Sequence, residues 1–210
     1  MLLPVFWLGC CSLPAQQKAV QYTKDFKFTE GIYLSFSDFK NNAPVPVSKI
    51  ISDYNKDDRS FVEKTLSKNS VAYTDTSGRE FKVKASDLWG YCQNGTVYIN
   101  HGTEFNRVNI IGSICHFIAT MAVQTGYDPY YYNDPFGSPY PRYTYISSQF
   151  ILDFESGSVF EFNVTSMEEI LQRDEELYKE FSALKKKKKR DSIFLYLRKY
   201  NEKHPVFFPQ

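Results

Sequence analysis

Apolar and polar positions alternate with a period of two through most of the middle of this 210-residue chain, and the spacing becomes helical only towards its end. Alternation at two puts successive side chains on opposite faces of a pleated strand, so the central segments predict antiparallel hairpins. "SVAYTDTSGREFKVKA" reads as two short strands around a Ser77-Gly78 turn. "DLWGYCQNGTVYIN" carries the strongest hairpin signal: Asn94-Gly95 suits a type I′ turn, in which both central residues need positive φ. "FNRVNIIGSICHFIATMAV" continues as one or two long strands broken near Gly112. In "YISSQFILDFESGSVFEFNV", Phe150, Leu152 and Phe154 share a face, Ser156-Gly157 makes the turn, and Phe160 and Phe162 return with the same period. Upstream, Ile32, Leu34 and Phe36 alternate as a strand or packed arm. Ser37 is placed to cap a short helix from Asp38 that "NNAPVP" ends.

Residues 126–145, "GYDPYYYNDPFGSPYPRYTY", break the alternation with seven Tyr and four Pro. Proline at that density predicts a long loop. From Thr165 the period changes. Ser166 and Glu169 read as a capping box, and Ile170, Leu177, Phe181 and Leu184 recur at helical spacing. After "KKKKKR", Asp191-Ser192 is placed to cap a second helix with Ile193, Phe194, Leu197 and Tyr200 on its apolar side, ended by Pro205. The predicted fold is α+β: an antiparallel β-meander curled into a roll or barrel-like sheet, with a C-terminal two-helix appendage packed on it. The chain divides into a signal peptide at 1–15, a β-rich domain at 16–165 and the helical appendage at 166–204.

Composition sharpens this picture. The 18 Phe and 16 Tyr favour strands, where flat rings pack across a pleated surface. A net charge of +1 removes nucleic acid from the expected partners. Residues 2–13, "LLPVFWLGCCSL", are apolar and uncharged, and small Ala15 precedes polar Gln16, as at the end of a secretory signal peptide. The run lacks a basic lead and is too short to span a bilayer. A short buried strand or helix, or lipid attachment at Cys10 or Cys11, are the alternatives. If cleavage follows Ala15, only Cys92 and Cys115 remain. An oxidising compartment then permits one Cys92–Cys115 disulfide, and packed free thiols are the other reading.

The candidate chemistry is sparse. Cys92 and His101 are nine residues apart, and Cys115 and His116 are adjacent, so on a strand they point to opposite faces. Neither spacing suits zinc, and no metal or other cofactor is expected. A Cys–His nucleophile would need Cys92 to meet His116 across strands. There is no G-x-S-x-G elbow, H-E-x-x-H helix or phosphate-cradling glycine loop. Asp134, Asp153 and Glu155 offer carboxylates for a hydrolase acting on glycans. The basic run Lys185, Lys186, Lys187, Lys188, Lys189 and Arg190 reads either as a contact for an anionic membrane surface or as a solvated helix end with cations near a C-terminus. Tyrosine rings are large, rigid and amphipathic, so Tyr127, Tyr130, Tyr131, Tyr132, Tyr140 and Tyr143 are the expected binding residues, for a glycan, a peptide or an envelope protein.

Several stretches together carry a family resemblance: "GIYLSFSDFKNNAP", "DLWGYCQNGTVYIN" followed by "FNRVNIIG", and "LDFESGSVFEFN" before "ILQRDEELYKEF". They resemble uncharacterised exported proteins of Bacteroidota, over most of the chain after residue 28. The resemblance implies export to the periplasm or outer membrane and a β-rich body; it implies no activity and no catalytic residue. The expected function is that of a non-enzymatic exported binding module using the aromatic loop. The alternatives are a carboxylate-dependent glycan hydrolase and an envelope structural or assembly protein that meets the membrane through its basic helix tail.

Overall fold

The computed structural model describes residues 19–125 and 142–209. The first half contains β1 (Ala19–Gln21), β2 (Gly31–Tyr33), α1 (Phe36–Lys40), β3 (Val45–Pro46), β4 (Ile50–Ile51), α2 (Phe61–Leu66), β5 (Ser70–Thr74), β6 (Glu80–Lys84), β7 (Gly90–Gln93) and β8 (Thr96–His101). There follow β9 (Glu104–Ile110), β10 (Ile114–Thr125), β11 (Arg142–Asp153), β12 (Val159–Glu161), α3 (Val164–Leu171), α4 (Glu175–Ser182), α5 (Lys186–Lys203) and β13 (Phe207–Pro209). The hairpins form where the alternation places them. Asn94 and Gly95 take φ of 51° and 68° between β7 and β8, as a type I′ turn demands. β5 and β6 flank the Ser77-Gly78 turn, and residues 111–113 separate β9 from β10.

Eight strands form one antiparallel sheet in the order β12-β11-β10-β9-β8-β7-β2-β3; β4-β5-β6 form a second sheet and β1-β13 a third. None is closed or curled into a barrel, so the expected roll is corrected to an open meander. The physical reason lies in how the faces are covered. Barrel closure would bury the face carrying Cys92, Val97, Phe117 and Leu152 inside the sheet itself. Here that face is instead packed against Phe39 of α1 and Phe208 of β13. The opposite face is shared. Ile32 and Tyr91 pack with Phe61, Val62 and Val71 from α2 and the small sheet, whereas Ile114 and Ile151 pack with Met167, Leu171, Phe181 and Leu197 from the helices. Three layers leave no apolar face for closure to bury.

The C-terminal unit also differs from expectation: it has three helices instead of two. Asn163, not Ser166, caps α3, accepting the Ser166 N–H at 3.0 Å. Asp174 accepts the Leu177 N–H at 3.1 Å and starts α4, which splits the single helix that the apolar period implied. α5 begins at Lys186, well before Asp191. Near the N-terminus, Ser35 and Asp38 form the capping box of α1, two residues ahead of the expected Ser37. Arg142–Asp153 is one strand, so residues 142–145 belong to β11 and not to the loop. The last proline of that stretch is Pro141, and from there every β11 residue has a partner across β10.

Candidate functional site

The cysteine and histidine residues are built into packing. Cys92 and Cys115 are free thiols, fully buried in the same core cluster. Burial pushes both thiols up to about 12, Glu30 adding to the effect at Cys92, so each is protonated at neutral pH and neither is an activated nucleophile. His116 lies on the other face of β10 from Cys115. Its ring sits edge-on to Phe162 and Phe194, with Nε2 3.0 Å from Gln149 Oε1. His101 packs against Phe117 and Phe150. Among the described residues, no three His, Cys, Asp or Glu side chains converge where they could hold a metal ion.

Asp153 and Glu155 do line a cleft of about 410 Å³, together with Lys40, Arg173, Tyr200 and His204. Asp153 is 2% exposed and fully engaged. It accepts the Glu155 N–H at 3.1 Å, the Ser156 hydroxyl at 2.9 Å and Arg173 at 2.9 Å. Burial alone would raise its pKa, but Arg173 and the other donors outweigh burial and hold the carboxyl below its ordinary range. Asp153 therefore stays ionised and supplies no proton to a leaving group; it fastens the β11–β12 turn to the α3–α4 turn through Arg173. Asp134 lies outside the described residues.

The basic run occupies the N-terminal end of α5, with Lys185 as its cap and no acidic residue in the first turn. This corrects the reading of the run as a C-terminal end: the helix dipole disfavours cations here. Lys189 is the member held down, paired with Glu168 at 2.5 Å and lying over the Phe181 ring. Lys185, Lys186, Lys187, Lys188 and Arg190 are exposed, and none makes an ion pair among the described residues.

Of the expected aromatic contacts, Tyr127, Tyr130, Tyr131, Tyr132 and Tyr140 lie outside the described residues. Tyr143 is described and stands on β11, 55% exposed. Its surroundings reveal a feature that the loop reading missed. β10 and β11 pair over twelve residues each, from Ile114–Asp153 to Thr125–Arg142. Their neighbours cover only the lower part of this hairpin: β9 pairs at His116 and Phe117, Thr103 of the β8–β9 turn donates to the Thr120 C=O at 3.1 Å, and β12 pairs at Phe150 to Leu152, with Phe162 bonded to Gln149. The rest projects as a two-stranded arm. Opposed residues of an antiparallel pair share a face. Ile118, Tyr143 and Tyr145 therefore lie on one face of the hairpin, and Val123 and Ile146 on the other. All five are exposed, Tyr145 by 67%.

Among the described residues, the arm also has an open edge. The Gln149 carbonyl accepts the Phe162 N–H at 2.8 Å and the Asp153 N–H donates to Ser158 at 2.9 Å, both on the β12 side. The Phe154 N–H donates to Ser113, on the β10 side. By the two-residue repeat, the N–H and C=O groups of Tyr143, Tyr145 and Ser147 point out along the same edge as Gln149, beyond the end of β12. Proteins blunt such edges with lysine, proline, inward charge or a bulge. "YTYISSQ", residues 143–149, has no charge and no proline, in a chain with 23% charged residues. The signal for this was present in the sequence as a charge-free strand following the last proline.

With this geometry in hand, the chain can be placed. It is a mixed α+β protein of an open antiparallel sheet covered on both faces by helices and small sheets. It belongs to a family of unknown function, DUF6563, whose model matches residues 31–204. That match opens at β2 and ends at His204, so it takes in the eight-stranded sheet and the three helices and leaves out the β1–β13 pair. No curated protein and no solved structure matches the chain.

Proposed function

We propose that this protein is a non-enzymatic interaction module, exported to the cell envelope, that meets its partner through the β10–β11 arm. The observation that carries this reading is the arm itself: two strands that leave the body of the sheet, expose Val123, Tyr143, Tyr145 and Ile146, carry no charge over residues 143–149 and, among the described residues, leave backbone groups unpaired along β11. A row of free N–H and C=O groups is complementary to another extended chain, which favours a peptide or protein partner over a glycan. The apolar stretch at residues 2–13 and the resemblance to exported Bacteroidota proteins support an envelope location. A photo-crosslinking residue at position 145, in protein expressed by its own host, is expected to give a discrete protein adduct in the envelope fraction. The same residue at Leu195, an exposed position on α5, serves as the control. No adduct from 145 above that control, or a protein confined to the cytosolic fraction, would overturn the reading.

A second reading rests on the basic end of α5. Five exposed cations added to the positive end of a helix dipole favour an anionic surface such as phospholipid headgroups. Vesicles containing anionic lipid are expected to sediment the protein at low salt and to release it when Lys185, Lys186, Lys187 and Lys188 are changed to Glu. Equal sedimentation of both proteins would remove this role.

A further inference from the structure

We propose that the open edge of β11 is a homodimerisation edge, on which Tyr143 to Ser147 pairs antiparallel with the same segment of a second copy and Tyr145 faces its own counterpart. The proposal rests on the arm being an interaction surface and names its partner. Three features carry it. First, the outward backbone groups belong to Tyr143, Tyr145 and Ser147, which are spaced symmetrically about Tyr145. An antiparallel two-fold centred there sets Tyr143 opposite Ser147, Tyr145 opposite Tyr145, and Ser147 opposite Tyr143. Every one of these is an outward-facing pair, and each exchanges two hydrogen bonds, so no outward group is left over on either copy. A register shifted by one residue would set outward groups against inward ones.

Second, the side chains agree with the same axis. Tyr145 meets Tyr145 as an aromatic cross-strand pair, a kind of pair that stabilises antiparallel sheets. Third, charge does not oppose the association. A C2 contact sets identical surfaces together, so any net charge on the segment would repel itself, and residues 143–149 carry none. The outcome is one continuous sheet running through both copies, each keeping its helices on the same side of the joint. An edge this short gives an interface at the small end of the specific range, so the dimer is expected to be reversible and concentration-dependent.

Position 145 on the axis gives the test a distinctive signature. Sedimentation equilibrium of the full chain is run under reducing conditions, so that no intermolecular disulfide contributes. Wild type is expected to pass from monomer to dimer between about 1 and 200 μM, as for a weak, reversible contact. Tyr145→Lys and Tyr145→Glu each place like charges face to face and are expected to weaken the dimer at least tenfold. An equimolar mixture of the two variants is expected to restore it, because Lys then faces Glu. Tyr145 is 67% exposed, so matching thermal melts of the three proteins confirm that folding is unaffected. A wild-type monomer throughout the range overturns the proposal, as does a dimer indifferent to both variants or a mixture that stays monomeric. The cross-link from position 145 separates this failure from failure of the broader reading: an adduct with a different protein, alongside a monomeric wild type, removes the second copy and keeps the arm as an interaction surface.

Discussion

The side-chain amide of Asn201 brackets the backbone of Ile114: its oxygen accepts the Ile114 N–H at 2.8 Å and its nitrogen donates to the Ile114 C=O at 2.8 Å. One residue of α5 thereby completes the first residue of β10 on the side away from β11, where β9 does not pair with it. Gly112 makes room for it, since a Cβ there would lie 2.5 Å from the Asn201 side chain. This clamp, together with the packing of Ile114 and Ile151 against the helices, fixes the helical unit to the root of the projecting hairpin. Asn201→Ala leaves two buried backbone groups unpaired and is expected to cost about 2–4 kcal/mol in urea unfolding. A loss below about 0.5 kcal/mol would show that the clamp carries no such load.

Phe208 is fully buried although only two residues follow it in the sequence. Its ring meets Phe28 at 5.0 Å, Phe26 and Phe154 at 5.1 Å and Phe39 at 5.7 Å, while β13 pairs with β1. Both strands lie outside residues 31–204, yet together they close one face of the large sheet. Phe208→Ala is expected to destabilise the protein by about 3–5 kcal/mol, the range for a large aromatic removed from a core. Denaturant unfolding measures this; a cost near that of an exposed position such as Phe207 would contradict the closing role.

Burial lowers the pKa of His116 below its ordinary 6.5, against the smaller opposing effect of Gln149, and burial lowers that of His101 too. A histidine with a depressed folded-state value binds its proton more readily when unfolded. The stability it permits is therefore present above pH 6.5 and is lost as pH falls through that value towards the folded one. His116→Phe keeps a ring between Phe162 and Phe194 and cannot protonate. Urea unfolding of wild type is expected to show stability falling between pH 7.5 and 5, and His116→Phe to show a shallower fall, His101 supplying what remains. Equal slopes would place the titration elsewhere.

Asp174 joins the start of α4 to the end of α5. It caps α4 and receives Lys203 at 2.8 Å and His204 at 2.8 Å from the end of α5. Lys203 above all, with the Leu177 N–H and His204, holds its carboxyl well below the ordinary 3.8, even though burial opposes them. A depressed carboxyl stabilises above its unfolded value and loses that contribution as pH falls through the folded one. Asp174→Asn keeps the capping oxygen and removes the charge. The variant is expected to melt lower than wild type at pH 7, with the gap closing below pH 3.8. A constant gap would mean that the charge contributes nothing.

Most of the hairpins were legible because period-two alternation and a few turn residues decide them locally. Asn94-Gly95 and Ser77-Gly78 fall where they were expected, and so does the break near Gly112. What failed was set by contacts distant in sequence. Whether a meander closes depends on what covers its faces, and Phe39 and Phe208 come from opposite ends of the chain. The start of α5 could not be read from its residues, because five lysines and an arginine at a helix N-terminus go against the usual capping preferences. Pairing of Lys189 with Glu168 across to α3 helps hold them there. At the candidate site, the tyrosine count drew attention to side chains, whereas the feature described here belongs to the backbone. The edge of β11 depends on β12 being three residues long, and short strand length is the part of an alternating pattern that sequence marks least.

Backbone hydrogen exchange along β11, resolved residue by residue, tests the account most directly. In dilute protein the amides of Tyr143, Tyr145 and Ser147 are expected to exchange at nearly unprotected rates, while those of Ile146 and Ser148, facing β10, are slowed. At high protein concentration the first three are expected to become protected and the other two to stay as they were. Protection of Tyr143, Tyr145 and Ser147 already present in the dilute monomer would mean that the edge is covered within one chain, and would contradict the central claim.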